Sequence, residues 1–356
     1  MHAGDPEVIP VRAEESLDVS ALEPYLRRHL PVTDGAFQLA QFGGGHANLT
    51  YLVRFGDYEY VLRRPPLGPL PPHAHDMKRE YKVLSNLYRD FPLAPRAFAL
   101  CTDHAIVGSD FVVEERKFGI AIRRDLPENV RDDAALARRI GEMLVDTLAS
   151  LHRVDPQNVG LRDLGRPHGF LERQLSGWIE RWHAARTEGS IDAAALLAWL
   201  ERSLPPSPAV ALVHNDYKLD NMLLDPGDPS RIVALLDWDM CTLGDPLMDV
   251  GYMLALWPQA SDPPAARVGA MPTWRPGFPT RREAAERYAH RTGFDLAHLQ
   301  WYYIFNIFRF AAILQQIFKR FERGQTHDER FGSFGKQANA LIGLATMLCG
   351  DGTAAP

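Results

Sequence analysis

The 356-residue chain sets 39 lysines and arginines against 45 aspartates and glutamates, a formal net charge of −6, which argues against a nucleic-acid binder relying on bulk positive potential. With 46% hydrophobic and 24% charged residues it reads as an ordinary soluble globular protein, long enough for one large domain or two lobes. Three cysteines (Cys101, Cys241, Cys349) are too few and too far apart for a disulfide framework or a structural zinc site, and an acidic N-terminus without an apolar run predicts no signal peptide, so the expected compartment is the cytoplasm.

Residues 18–30 predict a short helix. Strands are expected at Phe37–Phe42, Leu49–Phe55 and Tyr58–Arg63. A glycine-rich turn, Gly43-Gly44-Gly45-His46-Ala47-Asn48, joins the first two, and Gly56-Asp57, with glycine first, makes a two-residue hairpin turn before the third. The prolines between 65 and 76 forbid regular structure there. Residues 76–88 predict a helix with Met77, Tyr81, Leu84 and Tyr88 on one face. Strand-like segments at 98–101 and 111–115 complete a small, mostly antiparallel sheet carrying one helix.

From about residue 117 helices take over. They are expected over 132–153, capped by Asp132 or Asp133, then over 169–185, 191–203 and 246–257. A proline-rich loop spans 258–279. Thr280 with Glu283 forms a capping-box pattern opening a further helix, followed by an aromatic helix over 294–321 and a last one over 334–349. The most apolar segment, 301–318, is interrupted by Asn306, Arg309, Gln315 and Gln316, so it reads as a buried helix and not a membrane span. The expectation is an α+β fold divided into 1–116, β-rich, and 117–356, mainly helical.

The stretch LVHNDYKLDNMLLDPGDPSRIVALLDWD, residues 212–239, gathers most of the chain's candidate chemistry. His214, Asp216 and Asn221 stand in an H-x-D-x-x-x-x-N spacing, and Asp237 ends the next apolar strand. That is the order of a kinase catalytic loop and its metal-binding strand. Asp216 is the candidate base or hydroxyl-orienting group. Lys218 is placed to reach a transferring phosphate, where charge accumulates. Asn221 and Asp237 offer hard oxygen ligands of the kind magnesium takes. His214 is expected to fix the loop rather than to exchange protons. Asp220 and Asp239 are either further polar ligands or scaffolding. Asp245 and Asp249, four residues apart at a helix start, are expected to cap that helix and to brace the catalytic loop.

In the first part, Gly43, Gly44 and Gly45 with Asn48 let backbone N–H groups approach phosphate oxygens, although the spacing is neither GxGxxG nor a P-loop. Arg63 ends the third strand, where a kinase carries the cation that contacts the α and β phosphates, and Glu80 on the next helix is its natural partner. Alternation along the strand sends Arg64 to the opposite face. The Glu114 carbonyl and the Arg116 N–H are the candidate backbone contacts to an adenine. Side-chain identity there is expected to matter little.

HNDYKLDNMLLD followed by LLDWDMCTLGDPLMDVGYML resembles the aminoglycoside phosphotransferase and choline kinase-like family of small-molecule kinases. Within it the chain looks most like the branch that also forms the N-terminal kinase domain of certain acyl-CoA dehydrogenase family members. FGGGHANLTYLV, YVLRRPP, REYKVL and FVVEE match that branch in order, so the resemblance spans roughly residues 37–257. It implies a bilobal protein-kinase-like fold and ATP- and Mg2+-dependent phosphorylation of a small-molecule hydroxyl; charge and hydropathy, separately, predict no nucleic-acid or membrane partner. By position, Asp216 is then the catalytic aspartate, and Asn221 with Asp237 the magnesium ligands. Arg63 stands where many relatives carry lysine. An aminoglycoside site would need many acids for a polycation, whereas Asp262, Arg267, Trp274, Arg275, Arg281 and Arg282 are mixed, and the branch points to a hydroxyacyl-type acceptor. The alternative is a catalytically silent nucleotide-binding module that senses a metabolite.

Overall fold

Alternating and β-branched apolar runs at the start of the chain build a single sheet. A computed structural model describes residues 8–43, 48–66, 76–123, 125–127, 131–267, 269, 271–326 and 328–350. The first of two units comprises residues 1–119 with 156–164 and 233–241. Its strands are β1 (Val8–Ile9), β2 (Phe37–Phe42), β3 (Leu49–Phe55), β4 (Tyr58–Arg64), β5 (Ala97–Cys101) and β6 (Phe111–Glu115). They lie in the order β1-β2-β3-β4-β6-β5, every neighbouring pair antiparallel. The β3–β4 hairpin pairs Phe55 with Tyr58, and Gly56 at its tip has φ +56°. A positive φ there costs glycine nothing, which is why the turn closes in two residues.

Helix α1 (Val19–His29), capped by Asp18, lays Leu22 and Leu26 on a core of Tyr51, Val53, Phe55, Leu62, Phe111 and Val113. Helix α2 (Met77–Leu87) starts at Asp76, whose carboxylate accepts from the Arg79 N–H at 3.1 Å. It buries Met77, Glu80, Val83, Leu84 and Leu87. The expected face with Tyr81 and Tyr88 is therefore rotated: both tyrosines are half-buried, and Glu80 takes a place among the apolar residues. A short helix α3 (His104–Val107) and strand β1 were not anticipated, both being too short to show periodicity.

The second unit comprises residues 120–155, 165–232 and 242–356. Its helices are α4 (Ala134–His152), α5 (Phe170–Ala185), α6 (Ala194–Arg202), α7 (Leu247–Ala255), α8 (Arg281–Thr292), α9 (Leu299–Glu322) and α10 (Phe334–Gly350). Asp133 caps α4, and Thr280 with Glu283 forms the full capping box of α8. Strand β7 (Ala211–Val213) pairs antiparallel with the strand Thr242–Gly244. The aromatic helix begins at Leu299 and not at 294, because α8 ends in a left-handed Gly293 and the chain needs Phe294–His298 to turn. Helices α7 and α9 meet at Gly251, where a Cβ would lie 2.6 Å from the Tyr302 carbonyl carbon. No helix among the described residues is long and apolar enough to cross a membrane.

Candidate active site

In the first unit, strand β4 carries Arg63 opposite Thr50 and Val112 in the sheet. Its Nε lies 3.1 Å from Glu80 Oε1, and its Nη2 donates to Asp237 Oδ1 at 2.7 Å. The first contact is an ion pair without hydrogen-bond alignment, since neither Glu80 oxygen has a hydrogen-bond donor. Arg63 is 9% and Glu80 0% exposed, so the pair is not the screened surface contact that the sequence left open. Arg64 does point the other way, its Nη1 donating to the Val107 carbonyl at 2.7 Å.

Glu114 on β6 is also buried, and its carboxyl belongs to the same charge group. Burial pushes it up to about 7, against the pull of Arg63 and with the push of Asp237. Burial likewise raises Glu80 well above the carboxylate range, with Glu114, Asp237 and Asp239 adding to the effect and Arg63 opposing it. The Arg116 guanidinium lies over the Phe42 and Phe118 rings, at 4.7 and 5.1 Å. Gly43 accepts from Arg12 Nη2 at 3.4 Å and Asn48 is buried, while Gly44 and Gly45 lie outside the described residues.

In the second unit, β7 delivers His214, Asn215 and Asp216, and a 3-10 turn over Leu219–Asn221 leads into strand β8 (Met222–Leu224). Asp249 on α7 is fully buried. Its Oδ2 accepts from the His214 N–H at 2.6 Å and its Oδ1 from the Asn215 N–H at 2.7 Å. His152 of α4 sits 3.2 Å from Oδ2, and its other ring nitrogen lies 2.6 Å from the Tyr288 hydroxyl. Burial alone would raise the Asp249 carboxyl. The hydrogen bond with His152 and the backbone N–H of His214 outweigh it and hold the carboxyl below its usual value. Tyr217 ties the same loop to α4, donating to the Leu144 carbonyl at 2.6 Å. His214 accepts from the Asp216 N–H at 3.3 Å, which is the loop-fixing part expected of it.

The Asp216 carboxylate is held from three sides. Tyr252 donates to Oδ1 at 2.7 Å, Asn221 Nδ2 donates to Oδ2 at 2.8 Å, and Lys218 Nζ lies 3.1 Å from Oδ2. Asn221 Nδ2 also reaches the Asp216 carbonyl at 2.9 Å, so the amide leaves its Oδ1 as the free acceptor. Burial raises the Asp220 carboxyl above its ordinary value. Asn215 and Asp237 are non-glycine residues with positive φ, +66° and +68°. Asn and Asp tolerate this conformation best, and such residues concentrate at functional sites.

The sequence did not point to Tyr252, His152, Tyr288 or Arg309. Arg309 projects from α9, 3% exposed, and donates from Nη2 to the Asn215 carbonyl at 2.7 Å, with its guanidinium over the rings of Tyr252 and Trp178 at 4.8 and 5.4 Å. Tyr302 of the same helix donates to Asp245 Oδ2 at 2.7 Å and Asn306 to the Met248 carbonyl at 3.2 Å. Tyr302, Asn306 and Arg309, spaced four and three, form one polar stripe on an apolar helix. That spacing was the available signal, and it read instead as interruption.

The sequence profile described as "Phosphotransferase enzyme family" matches residues 38–302, most of the chain, including Arg63, Glu80, Glu114, Asp216, Lys218, Asn221, Asp237 and Tyr252. The chain belongs to this family. A protein of Ralstonia eutropha JMP134, provisionally described as an aminoglycoside phosphotransferase, shares 30% identity over 94% of this chain and 98% of its own, with a TM-score of 0.79. A thermostable mutant of aminoglycoside phosphotransferase APH(4)-Ia, in ternary complex with ADP and hygromycin B, shares the fold at a TM-score of 0.58 and 18% identity, covering 94% of this chain and 100% of its own. Acyl-CoA dehydrogenase family member 10 of Mus musculus is 32% identical over 348 residues, covering 97% of this chain but 32% of that protein. The chain thus spans well under half the length of the curated relatives it matches. The expected α+β, protein-kinase-like fold stands with these phosphotransferases.

Proposed function

We propose that the protein transfers the γ-phosphoryl group of ATP to a hydroxyl of a small molecule. The observation that carries this reading is Asp216: a carboxylate on a loop pinned by buried Asp249, oriented by Tyr252, Asn221 and Lys218, and 20% exposed at its side chain. Such a group orients an incoming hydroxyl and takes up its proton as the oxygen attacks phosphorus. Lys218, paired with Asp216, supplies positive charge beside the place where the phosphate would be transferred. Arg63, held between Glu80 and Asp237, presents a rigid fork to the α and β phosphates, while the Gly43–Gly45 turn with Asn48 and the Glu114–Arg116 backbone serve the remaining phosphates and the adenine. ADP in a relative of the same fold is consistent with nucleotide use.

The donor set suits Mg2+. Asn221 keeps an oxygen acceptor free and Asp237 is a carboxylate with 24% of its side chain exposed. Among the described residues no group of three or more His, Cys, Asp or Glu forms a metal cage. One or two oxygen ligands supplemented by substrate phosphates is how this ion is usually held. When bound it would neutralise the phosphate charge.

For the acceptor, the segment 258–282 argues against a polycation. Its single acid, Asp262, is paired with Arg281. Arg275 pairs with Asp125 at 2.9 Å, and Arg267 lies over Trp274 at 5.7 Å. With the acyl-CoA dehydrogenase family relatives, this favours a hydroxyacyl-type alcohol over an aminoglycoside. The test is an ATP-consumption screen over hydroxyacids, their thioesters and aminoglycosides. Asp216→Asn should lower turnover by roughly 10²- to 10⁴-fold and leave MgATP affinity intact. Undiminished turnover in that variant would sink the assignment. MgATP binding with no transfer across the whole panel would identify a silent module.

A further inference from the structure

A carboxylate offers about four acceptor positions, two on each oxygen. On Asp216, Oδ2 accepts from Asn221 Nδ2 at 2.8 Å and is ion-paired with Lys218 Nζ at 3.1 Å. Oδ1 is taken once, by the Tyr252 hydroxyl at 2.7 Å. Oδ1 is the oxygen not paired with Lys218 and keeps an acceptor position beside the tyrosine oxygen, available to an acceptor hydroxyl that hydrogen-bonds to Asp216. Accepting the phosphotransfer reading above, we propose that Tyr252 is a positioning residue, whose O–H fixes the rotation of the Asp216 carboxylate and so the direction in which the acceptor hydroxyl is held for in-line attack.

Tyr252 is itself tightly placed. It lies on α7, 5% exposed, with the Arg309 guanidinium 4.8 Å from its ring centroid. Its neighbour Gly251 packs directly on the Tyr302 backbone, so α7 cannot slide against α9 without a clash. Burial, reinforced by the Asp216 charge, raises the phenol well above its ordinary value, so it remains a donor and not a competing base. In the transfer, the acceptor oxygen forms a bond to the γ-phosphorus. The bond from that phosphorus to the ADP oxygen breaks with its electron pair, and the acceptor proton passes to Asp216 Oδ1. Tyr252 neither gains nor loses a proton. Its contribution is angular, and misplacement of about 1 Å at a reacting group costs on the order of 100-fold in rate.

The test is Tyr252→Phe, which keeps the ring on Arg309 and removes only the hydroxyl. Two measurements are made on the full chain: steady-state kinetics with MgATP, using the best acceptor of the screen and also water, and crystal structures of both proteins. We expect kcat to fall by roughly 10- to 100-fold while the KM for MgATP and the unfolding midpoint stay near wild type. The Asp216 carboxylate should turn away from its wild-type rotation in the variant crystal. A purely packing role would leave kcat unmoved. Unchanged kcat in the variant, or an Asp216 carboxylate that keeps its rotation, overturns the proposal. A wild-type protein that transfers phosphate to nothing would instead refute the phosphotransfer reading, and the carboxylate rotation would still decide the part played by Tyr252.

Discussion

The candidate residues of the two units solve opposite electrostatic problems. Around Arg63 one guanidinium faces Glu80, Glu114 and Asp237, with Asp239 adding its field, and both oxygens of buried Glu80 lack a hydrogen-bond donor. Around Asp216 nearly every acceptor is met: Asp249 takes two backbone N–H groups and His152, and Asp216 takes Tyr252, Asn221 and Lys218. A region with surplus buried negative charge is stabilised by bringing in a cation, whereas a saturated loop is rigid before anything binds. The first arrangement suits binding of a metal–nucleotide complex, and the second suits holding a reacting group still.

The same chemical change, carboxylate to amide, should therefore have opposite consequences in the two places. In the saturated loop, Asp249→Asn turns an N–H donor toward a backbone N–H and strips His152 of its carboxylate. Removing one partner of a buried pair typically costs about 3–5 kcal/mol. Urea unfolding should show a loss of that size, and an unaltered midpoint would break the contrast.

At the other end, Glu114→Gln should not destabilise. The folded chain holds the Glu114 carboxyl at about 7, above its ordinary 4.5. Between those values the native state keeps a proton that the unfolded state has released, so stability falls as pH rises from 4.5 through 7. The loss is at most roughly 3–4 kcal/mol, since one pKa unit corresponds to about 1.4 kcal/mol. Urea midpoints at pH 4.5 and 8 should diverge between the two proteins, with the variant the more stable at the higher pH. Parallel pH dependence would show that this carboxyl is not strained.

How much of this was legible follows from how local each contact is. His214, Asp216, Lys218 and Asn221 occupy one loop, so their spacing alone brings them together, and the structure keeps them so. Arg63 and Glu80 were readable because a kinase pairs the cation at the end of this strand with a glutamate on the next helix, and the two are paired here. Tyr252 reaches Asp216 across 36 positions and Arg309 reaches Asn215 across 94, each from a helix whose apolar pattern conceals its polar member. Periodicity states which face of α9 is buried. It does not state that a buried face holding Tyr302, Asn306 and Arg309 must meet polar groups, although the cost of burying an unmatched arginine implies it. The rotated face of α2 has the same origin: Glu80 is polar by type and buried by its charge partner.

The smallest effect expected is at Arg309. Arg309→Met keeps the volume while removing the hydrogen bond to the Asn215 carbonyl and the contacts with the Tyr252 and Trp178 rings. Such contacts are worth roughly 1–2 kcal/mol together, and Arg309 Nε has no partner in the native state, which trims the loss. A midpoint shift toward the lower end of that range is expected. The double variant with Tyr252→Phe carries the information. If Arg309 acts on the loop through the tyrosine ring, its effect on kcat should shrink once the hydroxyl is gone, giving a coupling above about 0.5 kcal/mol. Additive effects would mean that Arg309 holds Asn215 and Tyr252 holds Asp216 independently. The saturated loop would then be two separate braces, and its rigidity would no longer depend on the polar stripe of α9 acting as one unit.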